Sequence, residues 1–152
     1  MNNARLVHCH TVFMGIIVEL KNAIRKSIYT LDKTMNFNFE KIKRVQYPYV
    51  FFYIRNYKII EPADTTRWAQ VTINCVLEYC KEADCDNADL WAYERIFRKA
   101  TKNFEFLDTK LYAQNPEFSL VAGNLQMLFD LTFYVREKDK TELMQELQLT
   151  MK

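Results

Sequence analysis

The sequence predicts an α+β domain built on a mostly antiparallel sheet of about five strands, with two helices packed on one face. Three observations predict it. Apolar residues recur at helical spacing in two separate stretches, Ile17–Leu31 and Leu90–Ala100. Long stretches alternate apolar and polar residues with period two, chiefly Thr66–Tyr79 and Leu120–Arg136. The strand-like stretches are grouped instead of alternating with helices, so hairpins should join them. The expected order is α-β-β-β-α-β-β with a short C-terminal helix.

Residues 1–13, MNNARLVHCHTVF, show neither helical nor strand period and stop at Met14-Gly15. They read as a disordered N-terminal tail or a start-site extension. A strand from Leu6 to Phe13, lent to a neighbouring subunit, is the alternative. The first helix follows, with Ile17, Leu20, Ile24, Ile28 and Leu31 on one stripe and Glu19, Lys21, Arg25, Lys26 and Asp32 off it. Phe37–Val45 alternates and reads as a strand, broken by Tyr47-Pro48. Tyr49–Lys58, YVFFYIRNYK, is aromatic and β-branched and reads as a second strand. Glu61-Pro62-Ala63-Asp64 reads as a turn or loop. In the third strand Ala69, Val71, Ile73, Cys75 and Leu77 face one way, and Gln70, Thr72, Asn74 and Glu78 the other.

Asp86 or Asn87 suits an N-cap, and Asp89 suits the positive end of the second helix, which should run to about Lys102. Its stripe is Leu90, Tyr93, Phe97 and Ala100. A strand is expected over 105–114, a turn at Asn115-Pro116, and a last long strand over Leu120–Arg136, with Gly123 as a bulge. In that strand Phe129, Leu131 and Phe133 should share a layer with Ile73, Cys75 and Leu77, under Leu20, Ile24 and Phe97. After the charge run Glu137–Glu142, the spacing of Leu143, Leu147 and Met151 suggests a short, marginal helix. No repeat or linker divides the chain. The expected organisation is a single domain over 14–137, with 138–152 as a C-terminal tail.

At 152 residues the chain can bury about two-thirds of its unfolded surface, enough for a core without staples. Gly 2 and Pro 3 exclude collagen-like and low-complexity designs. The aromatic share of 14% favours strands and interfaces. A net charge of +2 is too balanced to argue for nucleic acid or a membrane surface, and no apolar run is long enough to span a membrane. No signal peptide is evident, and four unevenly placed cysteines read as reduced thiols of a cytosolic protein.

No catalytic machinery, metal or cofactor is expected. His8 and His10 both lie ahead of the domain, which leaves it without the usual general base. G-x-S-x-G, P-loop and H-E-x-x-H patterns are missing. Glu82, Asp84, Asp86 and Asp89 lie before a helix, where capping is their ordinary role; their spacing lacks the glycine and last glutamate of a calcium loop. His8-Cys9-His10 resembles a metal tripeptide but needs further ligands to close a site, and Cys80 and Cys85 have no second pair.

The informative feature is the strand at 49–58. Tyr49, Phe51 and Tyr53 point to one face and Val50, Phe52 and Ile54 to the other, so both faces are apolar. An antiparallel sheet with one wet face does not read this way. Either a loop or the terminal hairpin covers the tyrosine face, or a second subunit does. The candidate oligomer interface is Tyr49, Phe51, Tyr53 and Tyr57, with Glu61, Asp64 and Thr66 of the adjoining loop. Tyr112, Asn115 and Phe118 of the long hairpin belong to it as well.

VQYPYVFFYIRNYKI at Val45–Ile59, RWAQVTINCVLEY at Arg67–Tyr79, the helix at about Asn87–Lys102 and FDLTFYVRE at Phe129–Glu137 together resemble the small tail terminator proteins of contractile-tailed bacteriophages and phage-like elements. The resemblance covers roughly Met14–Glu137. It implies a virion protein, assembled in the host cytoplasm, that forms a hexameric ring on the tail tube, ends tube polymerisation and offers the head-tail joining surface. The implied partners are further copies of itself, the tail tube protein, the head-side connector and the sheath, with DNA only as passing cargo and no membrane. The family brings no catalytic residues. Two other readings fit the same pattern: another neck or tail component, such as a head-completion or tube protein, and a small non-enzymatic binding or inhibitory module.

Overall fold

A computed structural model of the chain describes residues 15–38, 48–60, 68–81 and 88–150. The elements, in chain order, are α1 (Ile16–Leu31), β1 (Asn36–Asn38), β2 (Tyr49–Ile60), β3 (Trp68–Cys80), α2 (Ala88–Lys102), β4 (Phe104–Phe106), β5 (Thr109–Leu111), β6 (Gln114–Val121), β7 (Asn124–Arg136) and α3 (Glu137–Thr150). A five-stranded sheet runs β1-β2-β3-β7-β6, and β4-β5 forms a separate small hairpin. Every pairing in the large sheet is antiparallel except that of β1 with β2. The class is α+β, as the grouping of strands predicts.

Alternation along β3 and β7 puts Ala69, Val71, Ile73, Cys75 and Leu77 on one face, across from Val135, Phe133, Leu131, Phe129 and Met127. That face is buried under the helices. Ile17, Leu20, Ile24 and Ile28 come down on it from α1, and Leu90, Tyr93, Phe97 and Ala100 from α2. These are the stripes their spacing predicts, save Leu31, which ends α1 exposed. The third helix is more than a marginal tail. α3 spans 14 residues and sinks Leu143 and Leu147 into the same core. Isolated, so short a helix is barely stable in water; here burial of one face holds it.

The start of α1 shows how the helices are tied together. Gly15 has φ 93 and offers no capping side chain. Glu146 of α3 does the capping: its Oε2 accepts from the backbone N–H of Ile17 at 3.0 Å and of Val18 at 3.4 Å. A Cβ on Gly15 would lie 2.0 Å from that oxygen and would push the Glu146 carboxylate off its cap, and φ 93 itself favours glycine. At the other end of α1, Asp32 accepts from the Thr34 N–H and hydroxyl and from the Tyr93 hydroxyl of α2. Ser27 donates to the Ala100 carbonyl at 2.7 Å, a second link between α1 and α2.

The structure corrects the sequence reading in the second half of the chain. The stretch 105–114 is not one strand but the tight β4-β5 hairpin, turned by Leu107 and Asp108, both at positive φ. Leu120–Arg136 is two strands: Gly123 is no bulge but half of the Ala122-Gly123 turn between β6 and β7, with φ 52 and 82. The positive φ values and the two-residue length are those of a hairpin turn. Asn115-Pro116 makes no turn between elements. It lies inside β6, where the register shifts between Gln114 and Glu117 and Asn115 takes φ 52. Pro and a left-handed Asn are the marks of a bulge as much as of a turn, and alternation alone does not separate the two. Of the expected strand Phe37–Val45, Asn36–Asn38 is seen as β1, while 39–47 lie outside the described residues. So do 1–14, the loop around Glu61–Thr66 and the expected N-cap at Asp86 or Asn87.

Candidate functional site

The face of the sheet turned away from the helices changes character along its length. At the Cys80 end it is apolar and buried. Tyr49, Phe51, Tyr53 and Cys80 form a small second cluster, with the rings of Phe51 and Tyr53 5.0 Å apart. Tyr49 keeps 6% and Phe51 8% of its surface within the single chain. The apolar double face of β2 is therefore real, but covering these two rings needs no second subunit. Tyr53 remains half-buried.

Next to this cluster sits a residue the sequence reading assigned only to a polar face. Glu78, opposite Phe51, is 4% exposed. Its carboxylate accepts from Asn124 Nδ2 at 3.0 Å, from Gln126 Nε2 at 3.1 Å and from the Cys80 thiol at 3.6 Å. A buried carboxylate is tolerable only when its lone pairs are satisfied, and here two amides of β7 do most of that. The signal was its place between Phe51 and Cys80 on a face already crowded with apolar groups.

In the middle of this face the strands are joined by a polar ladder. Asn74 donates to Asp130 at 2.9 Å. Thr132 donates to Gln114 at 3.0 Å and so accepts from Thr72 at 3.1 Å. Cys75, directly behind the ladder, is fully buried, and burial, then the Asp130 charge, raises its thiol pKa well above the ordinary value. That thiol is a core group and unreactive. At the far end the face opens, and Ile60, Trp68 and Tyr134 are exposed, with the Arg136 guanidinium 5.5 Å from the Trp68 ring centre.

A bulge at Arg55 decides where Tyr57 goes. The register steps from Ile54 opposite Cys75 to Asn56 opposite Asn74, so the parity of β2 reverses. Tyr57 then lies opposite Ile73 and packs against the helix-covered core instead of beside Tyr53. Glu61, Asp64 and Thr66 fall outside the described residues. Tyr112 and Asn115 are exposed at the start of β6, where Gln114 Nε2 donates to the Tyr112 hydroxyl at 3.4 Å. Phe118 is half-buried on the helix side, with the Arg98 guanidinium 4.4 Å above its ring. Of the ten residues singled out by sequence, the seven that are described thus divide between a buried cluster, the helix-covered face and the β6 edge.

The residues of that edge are mostly exposed. β6 ends the sheet, and among the described residues no strand lies beside its outer side. A groove of about 140 Å³ runs between it and α2, lined by Leu90, Trp91, Phe118 and Leu120 among others. A second cleft, of about 450 Å³, lies at the end of α2, where Arg95, Arg98, Lys99 and Lys102 face Ala113 and Pro116. Arg98 also pairs with Glu94 at 3.3 Å. Among the described residues no group of three or more His, Cys, Asp or Glu gathers to hold a metal ion. Within the same residues no helix is long and apolar enough to cross a membrane.

An unpaired strand edge, a groove beside it and exposed aromatics are the means by which α+β domains dock onto other chains. A family model described as phage tail terminator protein matches residues 19–142. The match runs from the first turn of α1 into α3 and takes in the whole sheet; the chain belongs to that family of structural tail proteins, which places it in the virion. No curated protein matches the sequence.

Proposed function

We propose that the protein closes the phage tail as a homo-hexameric ring seated on the last ring of tube protein, where it stops further polymerisation and presents the surface that joins tail to head. The observation that carries this reading is the family match across the entire sheet, in a chain whose β6 edge stands open. Tube protein contacts one rim, the head-side connector the other, and in a contractile tail the last sheath ring lies outside; DNA passes through without being read. Assembly takes place in the host cytoplasm. Within the ring, contacts between copies fall on the exposed Tyr112 and Asn115 and the half-buried Tyr53 and Phe118 of the candidate set, together with Glu61, Asp64 and Thr66. Tyr49 and Phe51 pack beside Tyr53 in the same cluster.

The test is a double substitution, Tyr53→Ser with Tyr112→Ser. Truncating aromatics at the centre of an interface commonly costs about 2 kcal/mol or more, roughly a thirtyfold loss in association. Light scattering should report rings for the native chain and smaller species for the variant, with the circular dichroism of both alike. Tails assembled with the variant should overrun their normal length in electron micrographs. Normal tail length with the variant present in normal amounts would sink the interface assignment.

A further inference from the structure

The two halves of β6 are built differently. The first half carries devices that stop an edge from pairing: Asn115 at φ 52, Pro116, the register shift and the exposed charge of Glu117. The second half carries none. Phe118–Val121 keeps regular register against Met127–Asn124, and it contains no proline and no charge. Leu120 is 59% exposed and Val121 45%. Trp91, 64% exposed on α2, stands over the same stretch and helps line the groove beside it. A regular apolar edge with a side-chain groove alongside is the geometry of strand addition, in which backbone hydrogen bonds supply affinity and the groove supplies selectivity.

The chain itself contains a segment that fits. Fourteen residues precede Gly15, where α1 begins. Among them Leu6–Phe13, LVHCHTVF, has no glycine, proline, acid, lysine or arginine, and is rich in residues that favour strands. Leu6 lies nine residues before Gly15, so an extended chain can carry it about 30–32 Å from that anchor, whereas a folded chain of this length has a radius of gyration of only about 15 Å. The segment is long enough to leave its own domain. We propose that residues 6–13 of one copy add as a strand to Phe118–Val121 of the neighbouring copy, with an apolar side chain seated between Trp91 and Leu120. This inference rests on the ring reading, and it makes the contact head-to-tail, the kind that closes into rings.

Two full-length variants test it. Val7→Asp with Val12→Asp puts a charge on each face of the segment, and Leu120→Asp puts one on the edge. Leu120 is exposed, so the edge variant should melt as the native chain does. A labelled synthetic peptide of residues 4–14 should bind the segment variant, whose edge is intact, and should bind the Leu120→Asp chain about tenfold or more weakly. Each variant alone should fail to form rings, while a mixture of the two should give two-chain particles, since one intact contact remains. Equal peptide binding by both variants, no binding by either, rings formed by either variant alone, or no paired particle in the mixture would overturn the proposal. A native chain that stays monomeric while the peptide still binds through Leu120 would keep the strand addition and defeat the ring.

Discussion

Phe129 lies opposite Cys75 on the helix-covered face and is fully buried, as Phe97 is from α2 above. Replacing either with alanine should cost about 3 to 5 kcal/mol, since lost transfer energy and an unfilled cavity add together; chemical denaturation measures it. Glu146 is the other instructive residue. Burial raises its carboxyl pKa above the ordinary glutamate value, against hydrogen bonds from Ile17, Val18 and Ile16 and the charge of Lys21, which lower it. A carboxyl whose folded pKa is raised contributes stability at low pH, and the contribution is lost as pH rises through that folded value. Glu146→Gln cannot ionise yet keeps an oxygen to cap α1. The stability of the native chain relative to this variant should therefore fall as pH is raised from about 4 toward neutrality, as followed by thermal melts. Asp32 has the opposite sign. Burial pulls its pKa up, but hydrogen bonds from Thr34 and Tyr93 outweigh that and lower it, so its contribution is lost on acidification.

At the scale of elements, the Ala122-Gly123 turn decides the register of the longest hairpin. Both residues have positive φ, which glycine adopts freely and alanine does not. Nothing stands within 4 Å of a Cβ at Gly123, so the demand there is conformational alone, unlike the crowding at Gly15. Ala122→Asn places a residue that tolerates this conformation at the first turn position. It should stabilise the domain by about 0.4–1 kcal/mol, a rise of a few degrees at most in Tm for a chain of this size. β2 carries the second lesson of this scale. The Arg55 bulge sends residues of the same sequence parity, Tyr53 and Tyr57, to opposite faces.

For the molecule as a whole, the question is which aromatics belong to the monomer and which to the assembly. Phe51 is buried within one chain and Tyr53 is not. Phe51→Ser should therefore lower the melting temperature of the monomer, while Tyr53→Ser should leave it nearly unchanged and act on assembly. Calorimetry of dilute protein separates the two, and equal destabilisation by both would place Tyr53 in the monomer core.

The sequence by itself determined the class, the two principal helices and the buried face of the sheet. Period-two and helical spacing report which side of an element is apolar, and Ile73, Leu131, Leu20 and Phe97 obeyed that report. Its strand texture and element order also resembled the family to which the chain belongs. The tertiary structure decided what periodicity does not encode. Asn115-Pro116 could mark a turn or a bulge, and only pairing with β7 made it a bulge. The spacing of Leu143 and Leu147 promised a marginal helix, and only docking on the sheet made α3 part of the core. The cap of α1 comes from Glu146, 129 residues from Ile17, and the carboxylate of Glu78 is satisfied across strands by Asn124 and Gln126. These are contacts between residues far apart in the chain, so they exist only once the sheet has set its register and the helices have come down on it.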